Sequence, residues 1–98
     1  MRTVVGVLRG GPSRQYDLSL KSGANILASL DKERYEARDI FIDRMGAWHH
    51  FGAPVVPERA LRGIDVAVNM LHGEYGEGGE LHDILDSLAV PYTGSDKS

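Results

Sequence analysis

An apolar run at residues 64–71 ends abruptly in His72, a glycine-rich stretch follows to Gly79, and Leu81, Ile84, Leu85 and Leu88 then recur at i, i+3, i+4 and i+7. This order predicts a strand, a loop and an amphipathic helix, with polar groups gathered at the strand's carboxyl end. The chain opens the same way. Residues 3–8 are apolar and rich in valine, Arg9-Gly10-Gly11-Pro12-Ser13 interrupts them, and Leu20, Ala24, Leu27 and Leu30 fall at helical spacing. That pattern predicts a buried central strand, a tight turn, and a helix whose apolar face is those four residues, capped by Asp17 or Ser19. Gly23 costs that helix ~1 kcal/mol relative to alanine, and either admits close packing on the sheet or is merely tolerated.

Between these two units the pattern weakens. Ile40-Phe41-Ile42, set between Asp39 and Asp43, marks a second strand within residues 35–42. Residues 44–57 carry no period, only Gly46, Trp48, His49, His50, Gly52, Pro54 and Pro57. They read as a small hairpin or a wandering loop, and Pro54 confines any strand there to an edge. Residues 58–62 suit a single helical turn, Val90-Pro91-Tyr92 starts a fourth strand, and residues 95–98 read as a tail or a cut. The order β-α-β-β-α-β predicts an α/β fold built on a parallel, doubly wound sheet. In such sheets ligands bind at the carboxyl ends of the strands, which directs attention to the loops after the first and third strands.

Composition narrows the function. At 98 residues the chain is a single domain, and 42% hydrophobic with 26% charged residues is ordinary for a soluble one. A formal charge of −3, with the lysines and arginines scattered, argues against nucleic acid as a partner. The absence of cysteine excludes disulfides, thiolate metal sites and cysteine nucleophiles. No run approaches the ~18 apolar residues of a membrane span. Met1-Arg2-Thr3-Val4-Val5 leads directly into a strand without signal-peptide anatomy, so a cytoplasmic setting without membrane is expected.

Few residues suggest chemistry by themselves. Gly10-Gly11 before a helix fits a backbone cradle for an anion, or simply a strand-to-helix turn, and it lacks both the dinucleotide and the phosphate-loop spacings. His72 either meets a ligand's carboxylate or phosphate or caps its own loop through backbone hydrogen bonds. His49-His50 and His82-Asp83 are incomplete as ligand sets, so no metal site is expected. Glu74, Glu77 and Glu80 suit the start of the last helix, where the macrodipole favours negative charge. Ser13 and Ser19 have no histidine base at readable spacing. No catalytic residue is therefore expected within this chain alone.

Taken together, four motifs point further. Val5-Gly6-Val7-Leu8-Arg9-Gly10-Gly11-Pro12-Ser13, Leu18-Ser19-Leu20-Lys21-Ser22-Gly23, Leu71-His72-Gly73 with Gly76-Glu77, and Pro91-Tyr92-Thr93-Gly94-Ser95 follow in order. In this order and at these separations they closely resemble the N-terminal domain of D-alanine–D-alanine ligases, of the ATP-grasp superfamily, over essentially residues 1–98. The resemblance implies a flavodoxin- or Rossmann-like (pre-ATP-grasp) fold. It also implies ATP- and magnesium-dependent joining of two D-alanines, through a D-alanyl phosphate, for peptidoglycan precursors.

It implies site residues as well. The family's G-G-x-S-x-E glutamate helps hold the first D-alanine's ammonium group, and the histidine of its L-H-G motif approaches that substrate's carboxylate. Gln15 and His72 occupy those positions, with Ser13 and Gly73 in the same motifs. This chain departs from the pattern at three places: Gln15 replaces the glutamate, Gly78 stands where aspartate is usual, and His82 stands where glutamine is usual. A neutral amide still accepts a hydrogen bond, but charge-assisted bonds are roughly twice as strong. The residues that handle ATP, magnesium and the transition state belong to later ATP-grasp domains, which are absent here. The expected partners are thus D-alanine, bound weakly or not at all by the isolated chain, and those domains in cis or in trans. A homodimer is a further possibility, with Trp48 and Phe51 as candidates for its face. The alternative is a stand-alone binding or assembly module that kept the fold and lost the chemistry.

Overall fold

The valine-rich start of the chain lies in the middle of a sheet. The structure, a computed structural model, describes residues 2–73 and 79–94. Its elements are β1 (Thr3–Gly10), α1 (Tyr16–Ser29), β2 (Tyr35–Ile42), β3 (Trp48–His50), β4 (Ala53–Val55), α2 (Pro57–Ala60), β5 (Val66–Asn69), α3 (Gly79–Ser87) and β6 (Tyr92–Gly94). Among the described residues the strands form one six-stranded sheet in the order β4-β3-β2-β1-β5-β6. β1 runs parallel to β2, from Thr3↔Tyr35 to Gly10↔Ile42, and parallel to β5, from Val5↔Val66 to Leu8↔Asn69. β5 and β6 are also parallel.

The expectation of a wholly parallel sheet fails at β3 and β4, which pair antiparallel to β2 and to each other. The reason is chain length. A parallel return needs a crossover of a dozen or more residues, and the links here are short turns. In the first, the Asp43 carboxylate accepts the N–H groups of Met45 and Ala47 at 2.9 and 3.0 Å. The second is Phe51-Gly52, both at positive φ, the geometry of a tight hairpin turn. The unperiodic stretch is thus a hairpin, and Pro54 lies on its outer strand. With a two-residue turn, His50 and Ala53 form the hydrogen-bonded pair, so Pro54 turns its nitrogen outward, where no donor is offered.

One face of the sheet carries the main core. Leu8, Ile40, Ile42, Trp48, Ala67 and Leu71 pack there with Ala60, Leu61, Ile64, Leu81, Leu85 and Val90. Each fully buried leucine or isoleucine contributes roughly 1.5–3 kcal/mol. The α3 stripe is confirmed at Leu81 and Leu85, with Ile84 and Leu88 at its margin. Trp48 belongs to this core, whereas Phe51 is 90% exposed at the hairpin tip. Of the two residues considered for an outer face, only Phe51 is on the surface.

Val5, Val7 and Arg9 alternate onto the opposite face, under α1. Here the helix differs from expectation. Its fully buried residues are Ser19 and Gly23, while Leu20, Leu27 and Leu30 are half-buried and Ala24 is exposed. Neither Asp17 nor Ser19 caps it; Gln15 is the N-cap and makes no side-chain cap bond. The cause is Arg9, whose aliphatic stem lies beneath the helix. A Cβ at position 23 would stand 2.7 Å from Arg9 Cβ and Cδ, so Gly23 does admit close packing. The Arg9 guanidinium donates to Asp39 at 2.8 and 2.7 Å and to the Leu20 carbonyl at 3.0 Å. The hydrogen bond to Asp39 raises the Arg9 pKa above its ordinary value.

Candidate functional site

From β1 the chain crosses over α1 to β2 on one side, and later returns to place β5 on the other side of β1. The carboxyl ends of β1 and β5 therefore flank the point where strand order reverses, the usual seat of ligands in open α/β sheets. Two loops leave from it, residues 10–15 and residues 70–73. They meet. Gly73 has φ +77°, and a Cβ there would fall 2.9 Å from Ser13 Cβ, so the two loops touch where only glycine fits. Ser13 Oγ accepts the Gln15 N–H at 3.0 Å, which shapes the turn into α1.

Of the four residues singled out in the sequence, Ser13 and Gly73 are in direct contact, and Gln15 joins them through its backbone. The Gln15 residue is exposed at the start of α1. His72 is half-buried, and its Nε2 is enclosed with no hydrogen-bond partner among the described residues. Its neighbour in the chain is braced, since the buried Asn69 side chain accepts the Leu71 N–H at 3.0 Å. The carboxylates Glu74 and Glu77, and Gly78, lie outside the described residues. Glu80 is in the first turn of α3.

Asn69 escaped the sequence reading, and Ser19 was weighed there only as a helix cap and as a nucleophile. Instead its hydroxyl accepts the Gly10 N–H at 2.9 Å and donates to the Met70 carbonyl at 2.6 Å. The available signal was the i, i+4 pair Ser19 and Gly23, two small residues on one side of a helix.

The other histidines do other things. His49 Nε2 lies 2.9 Å from Asp43 Oδ2, and this bond, followed by the N–H groups of Ala47 and Met45, lowers the Asp43 pKa below the usual carboxylate value. His50 stacks on Phe51 at 4.1 Å between ring centroids. His82 is 1% exposed, stacks on Tyr92 at 5.0 Å, and has both ring nitrogens unpartnered among the described residues. Among those residues no three His, Cys, Asp or Glu side chains gather as a cation site requires. Two grooves lie away from the switch point. One of about 610 Å³ runs between β2 and the hairpin past Phe41 and His49, and one of about 520 Å³ lies between the hairpin and Ile84 of α3. No helix among the described residues is long and apolar enough to cross a membrane.

No family model matches the chain. The D-alanine–D-alanine ligase of Solibacter usitatus is 38% identical over 96 residues, 97% of this chain and 29% of that protein. The crystal structure of D-alanine–D-alanine ligase from Bacillus anthracis complexed with ATP is 33% identical, with a TM-score of 0.70 over 96% of this chain and 29% of that one. VanG D-Ala:D-Ser ligase from Enterococcus faecalis shares the fold at a TM-score of 0.82 and 23% identity, over 94% of this chain and 35% of that one. The chain thus spans less than a third of the length of the curated relative. In sequence and in fold it belongs with the D-alanine–D-alanine ligases, matching their N-terminal domain.

Proposed function

We propose that this chain is the substrate-side domain of a D-alanine–D-alanine ligase, seating the first D-alanine where the ends of β1 and β5 part. The contact of Ser13 with Gly73 carries this reading, because it brings the two motif loops to one place at the switch point. Gln15 then offers a neutral acceptor to the substrate's ammonium group. His72 offers its enclosed Nε2 to the carboxylate. Residues 1–98 act as one domain and hold no catalytic residue of their own.

ATP and magnesium do not fit the described residues. Among the described residues no acid or histidine cluster gathers to hold the cation, and Gly10-Gly11 lacks the lysine and spacing of a phosphate loop. Those groups, and the stabilisation of developing charge, fall to the remaining ATP-grasp domains, supplied in cis or in trans. The expected setting is the bacterial cytoplasm, with the dipeptide feeding peptidoglycan precursors.

An NMR titration with D-alanine tests this, first on the chain alone and then with the remaining ligase domains added in trans. The expected result is weak or absent binding alone, and shifts at Ser13, Gln15, His72 and Gly73 in the reassembled protein. Silence at all four residues in the reassembled protein would sink the reading.

A further inference from the structure

Ser19 is fully buried, and its hydroxyl joins two backbone groups of different strands: the Gly10 N–H at 2.9 Å and the Met70 carbonyl at 2.6 Å. The β1–β5 ladder ends at Leu8↔Asn69, with the Met70 N–H donating to the Leu8 carbonyl at 3.0 Å. Parallel ladders are evenly spaced, every second residue of a strand bonding to the same neighbour. The next bond would run directly from the Gly10 N–H to the Met70 carbonyl. The Ser19 hydroxyl stands in its place.

A hydroxyl both accepts and donates, so it satisfies the two groups while holding them further apart than a ladder bond would. On the other side of β1 nothing parts. The β1–β2 ladder continues to Gly10↔Ile42, and the Gly11 N–H donates to the Ile42 carbonyl at 2.7 Å. The sheet opens on one side only, between the strands that launch loops 10–15 and 70–73. Gly23 makes this possible, since it lets α1 descend far enough to bring Ser19 into the sheet.

We propose that Ser19 is a positioning residue for the candidate site: its hydroxyl wedges the ends of β1 and β5 apart and sets the separation of Ser13 and Gln15 from His72 and Gly73. The role for substrate rests on reading these loops as a D-alanine seat; the wedge itself does not. The test compares amide spectra of the 98-residue chain with those of Ser19→Ala and Ser19→Thr. Ser19→Ala should move the amides of Gly10, Gly11, Ser13, His72 and Gly73 and speed exchange at Gly10 by roughly tenfold, as loss of a hydrogen bond does. Phe41 and His49, in β2 and β3, should stay in place, and Ser19→Thr should return the loop amides towards their original positions. Unmoved loop amides, or shifts spread evenly over the sheet, overturn the proposal.

If Ser19→Ala does not fold, the unaltered chain decides. Its Ser19 hydroxyl proton should be protected from exchange and show a nuclear Overhauser contact to the Gly10 amide, and a freely exchanging hydroxyl overturns the wedge. Adding D-alanine separates the two readings. No binding by the unaltered chain, alone or reassembled, removes the ligand assignment and leaves the amide result to decide the wedge. Where binding is seen, Ser19→Ala should weaken it by roughly tenfold or more, as misplacement of binding groups does, and Ser19→Thr should regain most of it. Equal binding in all three proteins overturns the positioning role.

Discussion

The switch-point loops and the β3–β4 hairpin contain the same kinds of residue, glycines, histidines and short polar side chains at strand ends, yet they are held by different means. The hairpin is local. Asp43 gathers Met45, Ala47 and His49, all within six residues of it. The switch point is assembled from distant parts. Ser19 and Met70 are 51 residues apart, and Ser13 meets Gly73 across the sheet. A locally specified turn forms wherever its sequence is placed, whereas the crevice exists only once β1, α1 and β5 have packed. The same contrast governs exposure, with Phe51 at the hairpin tip and Met45 in the turn before it both 90% exposed while Ser19 is fully buried beneath the crevice.

If that contrast is correct, the largest damage comes from changes at the switch point. Gly10 has φ +101°, and a Cβ there would collide with the Ile42 carbonyl. Gly10→Ala should therefore cost about 3 kcal/mol or more. In a domain of this size that lowers the thermal midpoint by roughly 15 °C, measurable by circular dichroism. Gly73→Ala should cost less, about 2 kcal/mol, because one residue in a strained backbone and one contact with Ser13 are affected. Its signature is regional: loop amides near Ser13 and His72 should move while those of the hairpin do not. Movement of the hairpin amides by Gly73→Ala would break the distinction between the two regions.

These regions also differ in how much of them the sequence disclosed. β1 was legible from its unbroken apolar run, which is buried from Val5 to Leu8, and α3 from the period of its apolar residues, with Leu81 and Leu85 where the stripe puts them. The hairpin was left between two readings because strands of three residues are too short to show a period, and the turn that leads into it is made by the Asp43 carboxylate rather than by apolar pattern. The α1 face was misjudged for a different reason. Its buried positions are Ser19 and Gly23, which a hydrophobic pattern does not register, and the space beneath Gly23 is taken by Arg9. His72 stood out at the end of an apolar run, whereas Ser13, Gln15 and Gly73 came as site residues from motif resemblance. Their meeting depends on strand order, and strand order is set by packing between segments far apart in the chain.

Acid should act on the hairpin before it acts on the crevice. The Asp43 pKa is lowered in the folded protein by the His49 bond and by the Ala47 and Met45 N–H groups. A depressed carboxylate contributes stability that is fully present above its unfolded value, ~3.9, and is lost as pH falls through the lower folded value. Between pH 5 and pH 2 the amides of Met45 and Ala47 should report loss of their bonds, and Asp43→Asn should remove that pH-dependence. An unchanged acid response in Asp43→Asn would contradict the assignment. The smallest effect concerns Phe51, an exposed residue at φ +53°. Phe51→Asn suits that turn position better and should stabilise the protein by up to about 1 kcal/mol in denaturant unfolding, with the crevice amides unmoved.

The most direct test of the substrate seat is the Gln15→Glu variant, titrated with D-alanine beside the unaltered chain, each with the remaining ligase domains present. Restoring a carboxylate at the start of α1 gives the ammonium group a charge-assisted partner. Binding should therefore tighten by roughly tenfold, with shifts confined to Ser13, position 15, His72 and Gly73. Equal or absent responses in the two proteins would contradict a D-alanine seat at this crevice and favour a module that kept the fold without the ligand.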